Sequence, residues 1–226
     1  MTADAAVKGI RSADDKGEIG ILAAEPDPPY FRPPLSKDLW TKGKSLDDIW
    51  CSTEEKGAAI MQNTRAVALD PDSREVRDDK GESYRYERLL LATGGTPKRL
   101  PFGDEHIIYY RTCADYRRLR EEADDGGHCA VLGGSFIGSE IAAALAVNGK
   151  KTTMIFPEAG IVARMLPPPL SQALTEYYER KGVTILSGRK PSGIQSDRMV
   201  TLRMENGHSF SVDCVVAGLG IELNVE

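Results

Sequence analysis

The sequence contains 226 residues, of which 41% are hydrophobic and 28% are charged, values typical of a globular protein with one or two domains. The formal net charge is −5 and no run of Lys or Arg forms a basic stripe, which argues against nucleic acid as a partner. No apolar run approaches the roughly 18 residues that a membrane helix requires, so we expect no membrane span and a cytoplasmic location, with an organellar origin left open.

The chain begins with a predicted helix and a predicted strand. Residues 2–17 place small and apolar side chains at helical spacing and end in a glycine. Residues 18–24, EIGILAA, form an apolar run of strand length that stops at Glu25. A helix followed by a strand that ends in an acid is typical of a βαβ unit, and we expect the first strand and glycine loop of that unit to lie outside this chain.

A proline-rich segment and a small sheet are predicted next. The segment PYFRPPLSKDLW predicts a proline-restricted turn with a cation at Arg32, followed by a short helix that carries Lys37. Residues 64–86 alternate and are rich in turn formers, which predicts an antiparallel hairpin or meander. The run RLLLAT, residues 88–93, predicts a buried strand that leads into a glycine turn at GGTP.

The second half of the sequence alternates strands with helices. A charged surface helix is predicted over residues 112–124. Strand, helix, strand, helix and strand follow between residues 128 and 186, and further strands are predicted in SGIQSD, RMVTLRM and HSFSVDCVVAGLG. This alternation predicts an α/β fold with a parallel sheet covered on both faces.

Cysteine and histidine residues do not suggest a redox disulfide or a metal site. The three histidines are scattered, and the four cysteines include no C-x-x-C pair and no zinc-type spacing. We therefore expect reduced, mostly buried thiols at Cys51, Cys113, Cys129 and Cys214.

The stretch VLGGSFIGSE, residues 131–140, lies between a predicted strand and a predicted helix, as a G-x-G-x-x-G phosphate-binding turn requires. About 20 residues on, Glu158 is spaced to accept a hydrogen bond from an adenosine ribose hydroxyl, which favours NAD, while Arg164 leaves NADP open. A plain strand-to-helix turn is the alternative. The predicted dinucleotide-binding residues are Gly133, Gly134, Ser135, Gly138, Glu158 and Arg164.

Ser135 stands where this turn usually has a glycine. Its Cβ would keep the loop slightly further from a phosphate, whereas its hydroxyl would compensate by donating a hydrogen bond to that phosphate. The sequence leaves open which of the two effects is larger.

Six segments together resemble the apoptosis-inducing factor and ferredoxin-reductase group of FAD- and NAD(H)-dependent oxidoreductases. They are EPDPPYFRPPLSK, LLLATGGTP, YYRTCADYRRLR, GGSFIGSEIAAAL, IFPEAGIVAR and GLGIELNVE. The resemblance implies two Rossmann-like, three-layer ββα dinucleotide-binding domains, with the NAD domain inserted in a partial FAD domain. We expect the FAD part over residues 1–110 and the NAD(H) domain over residues 111–226, with the closing FAD segment and a C-terminal interface domain absent from this chain.

The resemblance also implies roles for individual residues around the cofactors. Glu25 would bind the adenosine ribose of FAD and Arg32 its phosphates. Lys37 would lie beside the flavin ring and pair with Glu140, and Phe136 would cover the ring where nicotinamide stacks. The remaining implied residues are Thr93, Gly94 and Arg111 near the flavin, and Gly220 and Glu222 at the nicotinamide end.

Structural alternatives stay open for several of these residues. Phe136 suits an apolar core, and Lys37 and Glu140 suit solvated surface charges. Arg111 precedes Thr112, which suits the N-cap of the following helix.

The activity implied by the resemblance is hydride transfer from NADH to FAD. Because the chain has no C-x-x-C pair, electrons would leave the flavin for an external acceptor: a ferredoxin- or rubredoxin-like protein, a quinone or oxygen. A homodimer is expected for the full-length protein. The alternative is a protein of another class, an NAD(H)-sensing or interaction module, or a fragment without a catalytic flavin.

Overall fold

The computed structural model describes residues 1–125, 127–196 and 199–225. These residues form two compact units: Met1–Arg32 with Ser45–Thr93, and Pro33–Lys44 with Gly94–Glu226. Two strand predictions extended to Asp197 and Arg198, which lie outside the described residues. The predicted α/β class is confirmed, whereas the domain boundary expected after residue 110 stays a prediction.

The first unit combines one helix with a parallel strand pair and an antiparallel meander. Its helix is α1 (Thr2–Arg11), and its strands are β1 (Ile19–Leu22), β2 (Ala58–Met61), β3 (Ala66–Asp70), β4 (Glu75–Asp78) and β5 (Ser83–Arg85). Strands β1 and β2 pair in parallel, and β3, β4 and β5 pair antiparallel in that order. The meander predicted over residues 64–86 is therefore confirmed.

A buried carboxylate connects α1 to the segment before β2. Asp4 is only 3% exposed and accepts a 2.9 Å hydrogen bond from the hydroxyl of Thr53. The ammonium groups of Lys8 and Lys56 lie 2.8 Å and 3.1 Å from its two oxygens. Burial alone would raise the pKa of Asp4, but these three hydrogen bonds outweigh it and lower the pKa to about 2.

The Asp4→Asn substitution should lower the free energy of unfolding of this unit by an amount that depends on pH. A folded-state pKa of about 2 against an unfolded value of 3.8 gives a stabilisation that is present above pH 4 and is lost as the pH falls from about 4 to 2. We expect a loss of about 1 to 2 kcal/mol at pH 7, less than the full shift implies because Lys8 is half exposed and screened by water.

Urea unfolding at pH 7 and at pH 2 measures this effect. The difference between wild type and Asp4→Asn should shrink towards the lower pH, and Asp47→Asn, on an exposed side chain of the same unit, is the control. A difference that stayed the same at both pH values would contradict the ionic origin of the effect.

The second unit contains the longer helices and the main sheet. Its helices are α2 (Asp38–Thr41), α3 (Cys113–Asp125), α4 (Phe136–Val147) and α5 (Pro168–Arg180). Its strands are β6 (Gly95–Pro97), β7 (Ile108–Tyr109), β8 (His128–Leu132), β9 (Lys151–Phe156), β10 (Val183–Ser187), β11 (Pro191–Ser196), β12 (Val200–Met204), β13 (Ser209–Val212), β14 (Cys214–Ala217) and β15 (Ile221–Leu223).

The main sheet is parallel and has the order β10-β9-β8-β14-β7. Helix α4 packs on β8 and β9, α5 on β10, and α3 on β14 and β7. Strands β11, β12 and β13 form an antiparallel meander, and β6 pairs with β15. The strand and helix alternation predicted from the sequence is thus observed.

Three layers form because the central strands are apolar on both faces. Ala130 and Leu132 of β8 share a buried cluster with Leu202 and Val212 of the meander. The intervening residue, Val131, is also fully buried and points to the opposite face. A strand buried on both faces requires cover on each side, here helices on one and the meander on the other.

The segment that contains Lys37 belongs to the second unit. The indole N–H of Trp40 donates to the carbonyl of Leu35 at 2.8 Å, and the Tyr110 hydroxyl donates to the same carbonyl. The side-chain amide of Asn148 donates to the carbonyl of Trp40 at 3.1 Å. Burial raises the pKa of Tyr110, so its hydroxyl stays protonated as a donor.

The prediction of a buried strand over residues 88–93 is wrong. These residues form no strand, and Leu89, Leu90 and Leu91 are 42%, 60% and 64% exposed. An apolar run becomes a buried strand only where neighbouring strands pair with it, and none of the described strands does so. The glycine turn lies at Gly94, with φ +67°, and β6 starts at the next residue.

The prediction that the four cysteines are buried is confirmed. Each of them is free and buried. Across residues 1–125, 127–196 and 199–225, no helix combines the length and the apolar character needed to cross a bilayer.

Candidate functional site

A cleft of about 150 Å³ opens in the second unit at the carboxyl ends of three neighbouring strands. The turn after β8, the loop after β9 and the loop after β14 each contribute to its walls. This end of a parallel sheet is where α/β proteins bind ligands. The lining residues are Gly133, Gly134, Ser135, Pro157, Glu158, Val162, Ala163, Arg164, Met165, Gly218 and Leu219.

Three glycines at and next to the cleft pack so closely against neighbouring backbone that a side chain on any of them would clash. A Cβ on Gly138 would lie 2.0 Å from the carbonyl oxygen of Gly133, and a Cβ on Gly133 would lie 2.6 Å from that of Gly218. A Cβ on Gly218 would in turn lie 2.7 Å from the amide nitrogen of Gly138. These three glycines, called the glycine cradle below, therefore lock the turn, the start of α4 and the loop after β14 together.

Helix α4 begins at the cleft. Its N-cap is Ser135, with an extended backbone, and its first turn covers residues 136–139. The N–H groups and the dipole at such a helix start favour an anion, and a pyrophosphate is the anion of a dinucleotide.

The Ser135 hydroxyl is engaged within the protein. Its Oγ donates a 2.7 Å hydrogen bond to the carbonyl oxygen of Gly218. The hydroxyl therefore joins the turn after β8 to the loop after β14. The two effects expected from the sequence were a Cβ that keeps the loop from a phosphate and a hydroxyl that donates to that phosphate, and neither describes this bond.

Glu158 and Arg164 form an ion pair on the β9 side of the cleft. Arg164 Nη2 lies 2.6 Å from Glu158 Oε1. The arginine side chain is 80% exposed and the glutamate side chain is 21% exposed, so the arginine can leave the pair at little cost. The loop that carries them is held by Val162, whose N–H donates to the Gly134 carbonyl at 2.7 Å.

Val162 also has an unusual backbone. Its φ is +55°, a conformation rare for a β-branched residue, and its side chain is 5% exposed. Backbone strain of this kind concentrates at ligand-binding sites, because the surrounding contacts must hold it in place.

Lys37 and Glu140 form the pair that the resemblance implies. Lys37 Nζ lies 3.0 Å from Glu140 Oε1, and the Ser36 hydroxyl donates to Glu140 Oε2 at 2.7 Å. Both carboxylate oxygens of Glu140 are thus used to hold the segment before α2 against α4. Their role beside a flavin stays a prediction.

Phe136 is 52% exposed, so the alternative that it belongs to the core is wrong. A half-exposed aromatic ring on the first residue of α4 is available to stack on a flat ligand. Its expected function, to cover the flavin, stays a prediction.

Gly220 and Glu222 lie beside β6 and do not line the cleft. The amide of Lys98 donates to the Gly220 carbonyl at 3.0 Å, and Glu222 pairs with Thr96 in the β6–β15 ribbon. Gly94 precedes that ribbon. A Cβ built on Gly94 would lie 3.5 Å from the guanidinium of Arg111, so the arginine lies close to this glycine.

Thr112 caps α3, as the structural alternative for this region proposed. The Thr112 amide donates to Asp115 Oδ2 at 2.7 Å, and the Asp115 amide donates back to the threonine hydroxyl at 3.3 Å. This reciprocal arrangement is a capping box. Arg111 also donates its amide to Asp115, at 3.0 Å.

In the first unit, Glu25 and Arg32 are ion-paired with each other, and Tyr30 bridges them. The Tyr30 hydroxyl donates to Glu25 at 2.5 Å and accepts from Arg32 at 3.1 Å. Thr93 is the exposed last residue of this unit. A glutamate after a strand, paired with a later arginine, thus occurs in both units.

Six cleft residues were not predicted from the sequence: Pro157, Val162, Ala163, Met165, Gly218 and Leu219. Gly218 follows a strand in the run AGLG, which is a weak signal for close backbone approach. Nothing in the sequence indicates the positive φ of Val162, because only the packing of its loop on Gly134 imposes it.

Comparisons with known proteins agree with the fold. Residues 4–226 match the pyridine nucleotide-disulphide oxidoreductase family. The mitochondrial apoptosis-inducing factor 1 of Dictyostelium discoideum is 33% identical over 96% of this chain and 46% of its own length. The peroxisomal monodehydroascorbate reductase 4 of Arabidopsis thaliana is 30% identical over 97% of this chain and 50% of its own.

A similar solved structure is a ferredoxin reductase from Rhodopseudomonas palustris. It superposes with a TM-score of 0.89 and 26% identity, over 99% of this chain and 57% of that protein. The chain spans about half the length of the curated relatives it matches.

Proposed function

Because the chain belongs to the pyridine nucleotide-disulphide oxidoreductase family, we propose that it is the nucleotide-binding part of an FAD-dependent NADH oxidoreductase. In that reaction NADH supplies a hydride, FAD accepts it, and electrons then pass to an external acceptor. The observation that carries the proposal is the cleft of the second unit, where a glycine cradle, a helix start and a strand-end glutamate come together.

The residues of the cleft suit a nicotinamide dinucleotide. The close backbone packing of the glycine cradle holds the turn after β8 at the first turn of α4, where the N–H groups of the helix start would face a pyrophosphate. Glu158, at the end of β9, would accept hydrogen bonds from the adenosine ribose. Arg164 lies beside that carboxylate, and its positive charge would favour the additional phosphate of NADPH. NADPH is therefore the second ligand to test.

In the proposed assignment, residues 1–110 contribute to an FAD-binding domain and residues 111–226 to the NAD(H)-binding domain. Glu25 and Arg32 would bind the ribose and phosphates of FAD, and Thr93, Gly94 and Arg111 would lie near its ring. The pair of Lys37 and Glu140 would place a cation next to the ring, stabilising the negative charge that it gains on reduction. Gly220 and Glu222 would border the nicotinamide end.

The proposed electron acceptor is a small redox protein of the ferredoxin or rubredoxin kind. The similarity to a protein named ferredoxin reductase supports this class, with a quinone or oxygen as the other candidates. A homodimer of the full-length protein stays a prediction. The cytoplasmic location also stays a prediction, because relatives are named as mitochondrial and peroxisomal.

The test is an absorption spectrum of the purified chain, followed by anaerobic addition of NADH. We expect a flavin spectrum that bleaches on addition of NADH. Lys37→Met should slow the bleaching about tenfold or more, because a charge-assisted contact to the reduced ring is lost. Lys42→Met is the matched control, because Lys42 is an exposed lysine of the same segment and pairs with Asp38.

The other outcomes decide against the proposal. A colourless chain that still binds NADH would make it an NAD(H)-sensing or interaction module. A chain whose flavin does not respond to NADH or NADPH would not be a nicotinamide-dependent reductase.

A further inference from the structure

The hydrogen bond from the Ser135 hydroxyl to the Gly218 carbonyl joins two walls of the cleft, the turn after β8 and the loop after β14. Among the hydrogen bonds of the described residues, no other side chain connects these two walls. Ser135 caps α4 directly after β8, and Gly218 follows β14. These strands are neighbours in the sheet, with β14 on the side of β8 opposite to β9. The bond therefore adds a side-chain tether to the backbone contacts that hold the β14 loop beside the glycine turn.

The order of the strands gives the two sides of the cleft different roles. Glu158 follows β9 on one side of β8, and Gly218 with Leu219 follow β14 on the other. A dinucleotide with its adenosine ribose at Glu158 and its pyrophosphate over the glycine turn would continue towards Leu219. The β14 loop would then contact the nicotinamide half.

The loop after β14 needs such a restraint. Gly218 is held by its own amide, which donates to Leu132 at 2.9 Å, but Leu219 lies next to Gly220, whose φ is +89°. The Gly220 carbonyl also accepts from the Lys98 amide at 3.0 Å, so the freedom that the two flanking glycines give is confined to Leu219 and the Gly218 carbonyl. The cradle allows Gly218 to pack closely on Gly138, and the serine hydroxyl holds its carbonyl in one orientation.

We propose that Ser135 is a positioning residue that tethers the β14 loop and thereby selects the complete dinucleotide over its adenosine half. This inference rests on the proposed function, because it concerns the same cleft. The usual glycine at this position has no hydroxyl to make the tether, so the serine is an addition to the turn and not only a tolerated Cβ.

The test compares wild type with Ser135→Ala, which removes only the hydroxyl, and Ser135→Thr, which keeps it. The extended backbone at this position suits threonine. Calorimetry with NADH and with AMP measures the whole ligand and its adenosine half separately. Ser135→Ala should weaken binding of NADH about five- to tenfold, which lies within the range for the loss of one neutral hydrogen bond, and binding of AMP less than twofold. Ser135→Thr should bring the ratio of the two affinities back towards that of wild type.

Hydrogen exchange of the amides of Gly218, Leu219 and Gly220 gives a readout that needs no ligand. Exchange should be faster in Ser135→Ala and close to wild type in Ser135→Thr. Unchanged exchange, or an equal loss of affinity for NADH and AMP, would overturn the tether.

The two proposals fail in different ways. If wild type binds neither NADH nor AMP, the proposed function is wrong. Selection of a dinucleotide is then also wrong, even if amide hydrogen exchange in the β14 loop is faster in Ser135→Ala. If wild type binds NADH and Ser135→Ala binds it equally well, only the inference about Ser135 is wrong.

Discussion

Substitution of alanine for Gly138 is expected to abolish measurable binding of NADH to the cleft. The new Cβ would lie 2.0 Å from the Gly133 carbonyl oxygen, and that atom belongs to the backbone and cannot rotate away. Helix α4 cannot retreat either, because its own side chains Ile141 and Leu145 are fully buried against the rest of the unit. The turn must therefore open, and the groups that would contact a pyrophosphate separate.

The same change should destabilise the second unit by about 2 to 3 kcal/mol, the upper part of the range for overpacking, because the strain has no flexible side chain to absorb it. Calorimetric NADH titration and urea unfolding give the two quantities. Gly193→Ala is the matched control, since Gly193 lies in the same unit and its Cβ would meet nothing within 4 Å. Binding of NADH by Gly138→Ala at wild-type strength would contradict the role of the cradle.

The Trp40→Ala variant should lose about 3 to 5 kcal/mol of the free energy of unfolding, the range for a buried tryptophan. Trp40 is 6% exposed, and its ring lies against Tyr116 at 5.7 Å and beneath the guanidinium of Arg120 at 4.7 Å. Its indole N–H also donates to Leu35. Removing it empties the space between the Lys37 segment and helix α3.

Urea unfolding followed by circular dichroism measures this loss, and Trp40→Phe is the conservative control. Phenylalanine keeps an aromatic ring but not the N–H, so we expect about 1 to 2 kcal/mol of loss. The remaining tryptophan, Trp50, lies in the first unit and reports on that unit by fluorescence. A loss below about 1 kcal/mol for Trp40→Ala would contradict the anchoring of the segment, because burial alone predicts more.

These two expectations concern contacts of different range in the sequence. Gly138 and Gly133 are five positions apart, and the spacing of a phosphate-binding turn already indicates that they meet. Trp40 and Asn148 are 108 positions apart, and no pattern in the sequence predicts the hydrogen bond between them. The same long separation explains why the Lys37 segment groups with the second unit although it lies within the first unit along the chain.

The prediction for residues 88–93 failed for a related reason. Three consecutive leucines are typical of a buried strand, but burial depends on a partner strand, which a local pattern cannot supply. The prediction for residues 64–86 was confirmed because each strand of a meander pairs with the next strand along the chain, which a short turn joins to it.

The sequence by itself determined the alternation of strands and helices in the second unit, the glycine turn at 133–138 and the strand-end glutamates at 25 and 158, since each depends on neighbours within a few residues. It also indicated the family, through motifs that are themselves local. Only the tertiary structure decided that the Ser135 hydroxyl bonds to Gly218, that Arg164 and Glu158 pair, that Val162 adopts a positive φ and that Phe136 is exposed. These features depend on which loops meet at the end of the sheet, and that meeting is set by the packing of strands far apart in the chain.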